Sequence, residues 1–184
     1  MIRVVAISGS PSASSRTLRL VRHFGASLTS VDIDVTYIDV RELPAEDLLL
    51  GRASSPALAA PFRAIASAAG IVVGTPIYKA AYSGVLKTFL DVLPSRAFAG
   101  KIVVPLVTGG TPAHALALEY ALCPVLTALG SLITQAGLFV LDREIGTDGD
   151  GATLLDGETE QQLMACSRGF SAMLGSARRG DVER

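Results

Sequence analysis

The sequence predicts an α/β domain with a doubly wound parallel sheet of five strands and helices on both faces. Three observations carry this. Apolar, β-branched runs alternate with segments of helical spacing along the chain, the pattern of strands joined by crossover helices. Most of those runs lack polar alternation, as expected of strands covered on both faces. Glycine and proline, 18 and 9 in 184 residues, are near average in number but gather at three points where an apolar run ends. With 49% hydrophobic and 18% charged side chains, the chain fits one domain, expected over residues 1–178 with a frayed tail at 179–184. A domain of this size buries roughly 70% of the surface its unfolded chain exposes and needs no disulfide or metal to hold it.

The first strand is Ile2 to Ile7, ending at Ser8-Gly9-Ser10-Pro11. A helix from Ser15 follows, with Leu18, Val21, Phe24 and Leu28 on one stripe. Ile33 to Ile38 alternates apolar and polar residues, as an edge strand does. A polar connection from Arg41 to Ser55 leads to an Ala-rich helix over Pro56 to Ala69. Ile71 to Val73 is a short third strand, ending at Gly74-Thr75-Pro76, and Val85, Leu86, Phe89, Leu90 and Leu93 give helical spacing up to Pro94. The fourth strand, Ile102 to Val107, ends at Thr108-Gly109-Gly110-Thr111, and Pro112 suits the first position of a helix running to about Ala128. Leu132 to Val140 is the fifth strand. The Gly- and Asp-rich stretch after Asp142 reads as a solvated loop, because Thr153 and Thr159 stand where a calcium loop needs Gly and Glu. A last helix sets Leu163, Cys166, Phe170, Met173, Leu174 and Ala177 on one face.

Composition excludes several function classes. Sixteen Lys plus Arg against seventeen Asp plus Glu leave a net charge of −1, which argues against nucleic-acid or anionic-membrane binding. No run approaches the roughly 20 apolar residues of a membrane span, and the apolar start is too short for a signal peptide. Cys123 and Cys166 form no metal-ligand spacing, and neither is followed six residues on by Arg, so no metal site and no phosphatase-type nucleophile is expected. Both read as packing residues of a cytoplasmic protein.

The three Gly/Pro clusters follow strands one, three and four and therefore converge on one rim, where open α/β sheets bind ligands. In the first loop Ser10, Ser15, Arg16 and Thr17 stand at a helix start, which favours a phosphate. It is neither a Walker loop nor the Gly-x-Gly-x-x-Gly of dinucleotide sites. In the second, Pro76 and Ile77 suit the edge of a flat heteroaromatic ring; Tyr78 reads equally as a stacking or a packing residue, and Lys79 as a solvated residue or a contact to a carbonyl or phosphate. In the third, Gly109 and Gly110, between Thr108 and Thr111, let backbone approach a ligand closely. His114 reads as a surface or capping residue rather than an acid or base. A phosphate with a planar ring describes a mononucleotide, and loops without a strong acid, metal ligand or nucleophile suit hydride transfer through a flavin.

The stretches AISGSPSASSRT, EDLLLGRASSPAL, GTPIYKAAYSGVLKTFLDVLP and VTGGTPAHALALEYALCPVLTAL resemble the NADPH-dependent FMN reductase family of flavodoxin-like fold, most closely the reductase component of the two-component alkanesulfonate monooxygenase system. They span most of residues 4–130; beyond Asp142 the likeness is weak. The resemblance implies strand order 2-1-3-4-5, reduction of FMN by NAD(P)H with NADPH preferred, and delivery of reduced FMN to a monooxygenase that desulfonates organosulfonates. It implies phosphate contacts by Ser10, Ser15, Arg16 and Thr17, and ring contacts by Pro76, Ile77, Tyr78, Lys79 and the turn Thr108, Gly109, Gly110, Thr111. Relatives often carry Arg where Ser12 stands, one positive charge more. Pro124 has no N–H to give the Tyr120 carbonyl, so the helix ladder must break or bulge there. In similar reductases the tyrosine matching Tyr120 lies in such a bulge and reaches a flavin across a tetramer interface, implying a homodimer or homotetramer here. An FMN-retaining quinone or azo reductase and a flavodoxin-like electron carrier are the alternative readings.

Overall fold

The structure, a computed structural model, describes residues 1–28, 32–131, 133–134 and 137–182. Five parallel positions make the sheet, and their order follows the expected 2-1-3-4-5. Strand β1 (Ile2–Ser8) lies between β2 (Ile33–Asp39) and β3 (Gly70–Tyr78), and β3 pairs on its other side with β5 (Ile102–Gly109). The last position is shared by two short strands, β6 (Ile133–Thr134) and β7 (Leu138–Leu141), both parallel to β5. Residues 132, 135 and 136 of the expected fifth strand lie outside the described residues.

Two apolar layers sandwich the sheet because successive residues of a buried strand point to opposite faces. Val4, Ala6, Val72, Val104 and Leu106 face helices α1 (Arg16–Ser27) and α6 (Gly157–Val182), meeting Leu20, Val21, Phe24, Leu163, Phe170 and Leu174. Val5, Ile7, Ile71, Val73, Val103 and Val107 face α3 (Ala59–Ser67), α4 (Gly84–Asp91) and α5 (Cys123–Ala128), meeting Ile65, Leu86, Phe89, Leu90, Leu122 and Leu126. On α1 the stripe is led by Leu20 rather than Leu18, which is only half-buried, and on α6 Ala177 is exposed.

Several local expectations are corrected. Strand β3 does not stop at Val73: its partner β5 also runs on, so pairing continues through Thr75↔Val107 and Pro76↔Thr108. It then turns back into β4 (Ala81–Tyr82), with Ile77 opposite Tyr82 and Tyr78 opposite Ala81. The two turn residues, Lys79 and Ala80, have φ of 52° and 62°. A two-residue hairpin requires such angles, but the usual Asn-Gly signal is missing, and each non-glycine residue there costs roughly 1–2 kcal/mol. The connection after β2 contains a short helix, α2 (Ala45–Leu49). The Gly/Asp stretch is not a plain loop but the hairpin of β8 (Ile145–Thr147) and β9 (Thr153–Leu155), whose turn is tied by Asp148 Oδ1 accepting from the N–H groups of Asp150 and Ala152 at 2.9 and 2.8 Å. Helix α6 continues to Val182, and residues 183–184 of the expected tail lie outside the described residues.

At the carboxyl ends of β1 and β2 the register sets Ser8 beside Asp39, and Ser8 Oγ and Asp39 Oδ1 are both buried without a hydrogen-bond partner. Burial pushes the Asp39 carboxyl above its usual range. A carboxyl whose pKa is higher folded than unfolded costs stability when ionised, and that cost disappears as pH falls below both values. Asp39→Asn is therefore expected to raise Tm at neutral pH, with the gain shrinking toward about pH 4, as thermal melts across a pH series would show.

Candidate active site

The first wall of the site is the turn from β1 into α1. Ser15 caps the helix, its Oγ accepting the Leu18 N–H at 2.9 Å, which leaves its own hydroxyl proton free to donate outward. Ser10 Oγ likewise accepts the Ser12 N–H, at 3.3 Å. Thr17 Oγ1 and Thr108 Oγ1 meet at 2.7 Å; one of them donates to the other, so one proton of the pair remains available. Ser10, Ser15, Thr17 and Thr108 are all buried, while Arg16 projects into solvent at the helix start. Hydroxyl donors and the positive end of a twelve-residue helix thus converge on one spot, which is the chemistry of an anion site.

Close packing holds this wall in place. A Cβ on Gly74 would lie 2.2 Å from Val21 Cγ2, and one on Gly9 would lie 2.4 Å from Leu86 Cβ. The Gly9 N–H donates to the Gly74 carbonyl at 2.8 Å. Ser83, the buried N-cap of α4, joins three elements: its hydroxyl donates to the Gly9 carbonyl, its Oγ accepts the Leu86 N–H at 3.0 Å, and its own N–H donates to Thr75 Oγ1 at 3.0 Å. Sequence reasoning passed over Ser83, although a Ser-Gly pair just before an apolar helix is a capping signal.

The second wall is the end of β3. Pro76 and Ile77 are buried and rigid, Tyr78 is half exposed at the hairpin, and Lys79 is exposed at its tip. The third wall is the end of β5. Gly109 is buried under Phe139 and the His114 ring, a Cβ there lying 3.0 Å from Phe139 Cε2 and 3.1 Å from His114 Nδ1. His114 Nδ1 is buried without a hydrogen-bond partner. Gly110 and Thr111 are exposed, and the nearest atom to a Cβ on Gly110 is Asp142 Oδ2, at 3.9 Å.

These walls enclose a cleft of about 150 Å³, lined by Ser10, Ser12, Ser14, Ser15, Arg16, Thr17, Pro76, Ile77, Tyr78, Thr108 and Asp142. The structure therefore brings together the expected first-loop residues, the end of β3 and Thr108. Lys79, Gly109, Gly110, Thr111 and Tyr120 are not part of that lining. Asp142, which follows β7, was not legible as a site residue, because only the sheet carries it to the same rim. A larger cavity of about 640 Å³ shares Pro11 with this rim, but its walls are chiefly the apolar side chains of Val40, Leu43, Leu48, Leu49 and Val85. Convergent donors, not volume, mark the polar cleft as the site.

Beyond the third wall the expected continuous helix is three pieces: a 3-10 turn over Pro112–Ala115, a π-turn over Leu118–Leu122 and helix α5. The Cys123 N–H donates to the Leu118 carbonyl, five residues back, which lets the ladder pass the missing N–H of Pro124. Leu116 is exposed and Tyr120 is 77% exposed, and the β4 arm lies against this turn. Neither cysteine is activated: burial raises both thiols, that of Cys166 to about 11. Among the described residues no cluster of metal-ligating side chains occurs, and no helix is long and apolar enough to cross a membrane.

An anion cradle at a helix N-terminus, set at the strand ends of a sheet of this order, defines a flavodoxin-like protein of the mononucleotide-binding class. Residues 2–145 match the family described as NADPH-dependent FMN reductase, and the chain belongs to that family. It is accordingly an oxidoreductase. FMN reductase (NADPH) from Escherichia coli (strain K12) is 45% identical over 144 residues, covering 78% of this chain and 75% of that protein. FMN reductase (NADPH) from Pseudomonas putida is 47% identical over 142 residues, covering 77% and 72%. The apo form of the NADH:FMN oxidoreductase EMOB superimposes with a TM-score of 0.85 at 38% identity, covering 94% of this chain and 90% of that one. Thr17→Val leaves the Thr108 hydroxyl buried and unpaired, and is expected to cost about 1–3 kcal/mol in urea unfolding without changing the circular-dichroism spectrum.

Proposed function

We propose that this chain reduces FMN with NADPH as hydride donor, and that FMN is an exchangeable substrate rather than a permanent group. The observation that carries the reading is the polar cleft: three buried hydroxyl residues, Ser10, Ser15 and Thr17, at the α1 N-terminus beside the single cation Arg16. Their spare protons and the unpaired amides of the first helical turn fit a phosphate. Pro76, Ile77 and Tyr78 present a flat, partly apolar edge for the ring, and Lys79 stands at its open end. The Gly109-Gly110 turn, exposed at Gly110, lets backbone N–H groups reach ring carbonyls and nitrogens, with Thr108 and Thr111 at either side.

FMN held by these residues would supply the redox chemistry, as an acceptor of hydride at N5. The chain's residues anchor the phosphate, orient the ring and leave one face of it open for the nicotinamide. No side chain of the cleft is placed as a proton donor. The exposed Tyr120 on the π-turn and Leu116 just before it support a second copy covering that surface, in a homodimer or homotetramer where Tyr120 stacks near a partner's flavin. Reduced FMN then passes to a monooxygenase partner acting on organosulfonates, in the cytoplasm; the stretches EDLLLGRASSPAL and VTGGTPAHALALEYALCPVLTAL support that placement by resemblance.

The deciding experiment is anaerobic oxidation of NADPH and of NADH with FMN, FAD and riboflavin as acceptors. Turnover fastest with NADPH and FMN, with free reduced flavin released, is expected; absence of nucleotide oxidation with any flavin overturns the reading. Arg16→Gln is expected to raise KM for FMN about three- to tenfold and leave that for riboflavin nearly unchanged, because only FMN carries the phosphate. Tyr120→Ala should leave the Tm intact and alter flavin retention or turnover; unchanged flavin affinity and rates would remove Tyr120 from the mechanism.

A further inference from the structure

Charges within the cleft cancel. Its lining holds one cation, Arg16, and one carboxylate, Asp142; every other lining residue is neutral. That balance matters at a site that takes a phosphate dianion, since an unopposed cation tightens such a site and a carboxylate weakens it. The carboxylate is not there to neutralise a neighbour. Among the described residues Asp142 makes no ion pair, and no hydrogen bond to its side chain is present. Nor is it loosely placed. It opens the 3-10 turn Asp142–Glu144 directly after β7. That turn is braced by the Glu144 carboxylate, which accepts the Leu141 N–H at 3.1 Å and the Thr159 hydroxyl at 3.1 Å. The bracing points back to helix α6, so the position of Asp142 is fixed by the sheet and a helix rather than by a ligand.

We infer that Asp142 is the specificity-determining residue that keeps the hold on FMN weak: its charge opposes the phosphate in the same small cleft where Arg16 and the α1 N-terminus attract it. The Asp142 carboxylate shares the lining of one cleft, of about 150 Å³, with those hydroxyls and with Arg16. The result is a site that selects a mononucleotide by shape and hydrogen bonding, yet releases it. This inference rests on the FMN reading above and deepens it. It assigns the exchange of flavin to one residue whose side chain makes no structural bond, and whose replacement the fold should tolerate.

The test is equilibrium titration of the purified full chain with FMN and with riboflavin, comparing native protein with Asp142→Asn and Asp142→Glu. Asp142→Asn is expected to tighten FMN by about three- to tenfold and leave riboflavin nearly unchanged, so the ratio of riboflavin to FMN Kd rises by that factor. Asp142→Glu keeps the charge and should keep the native ratio. Raising the salt concentration should shrink the difference between Asp142→Asn and native protein, as expected for a charge effect at an open cleft. An unchanged ratio in Asp142→Asn, or equal weakening of both flavins, overturns the inference while leaving the reductase reading standing. Native protein that binds neither flavin overturns both.

Discussion

Close approach of backbone at two glycines sets the rest of this molecule. Because Gly74 has no side chain, Val21 and Thr17 of α1 press directly onto β3; because Gly9 has none, Leu86 of α4 presses onto the turn that leaves β1. The two helix starts therefore crowd the same strand ends from opposite faces of the sheet. A methyl group at either glycine would meet a side chain at 2.4 Å or less, and interiors packed at crystal-like density do not absorb such an overlap without moving an element. Ser83 locks the arrangement, bonding to the turn after β1, to its own helix and to β3.

What that packing produces is a set of hydroxyls with part of their hydrogen-bonding capacity already used. The Ser15 and Ser10 oxygens are spent as acceptors of backbone N–H groups, and Thr17 and Thr108 share a bond with each other. Each oxygen is thereby oriented before any ligand arrives, and Ser10, Ser15 and one of the two threonines keep a proton to donate. Preorganised donors of this kind lose little entropy on binding, which supports the proposed phosphate site although the cleft holds one guanidinium and one carboxylate. Strain is stored beside it, in the left-handed Lys79 and Ala80 of the β3–β4 turn, which aims Tyr78 across the rim.

The segment after the third wall obeys a different constraint. Proline at position 124 removes one donor from a helix that packs on the sheet through Leu122 and Leu126. The chain answers by inserting a π-turn, so that Cys123 bonds five residues back and the apolar face on both sides of the proline stays in register with the core. Tyr120 on the wider turn and Leu116 just before it both stay on the outside, two large side chains exposed to solvent.

The sequence alone determined the class of fold, the order in which strands and helices follow one another, and the rim on which the polar cleft lies. It could do so because burial on both faces demands unbroken apolar strands, and because turns that approach a ligand demand Gly and Pro wherever they occur. The bulge near Tyr120 was legible for the same kind of reason, as proline removes a donor in any context. Tertiary structure alone decided the length of β3, since pairing with β5, not local propensity, carries it through Thr75 and Pro76. It also decided the split of the last sheet position between β6 and β7, and the turn at Lys79-Ala80, whose residues give no local sign of positive φ. Ser83 and Asp142 join the rim from distant segments. Their presence there is a property of sheet register, which no window of neighbouring residues contains.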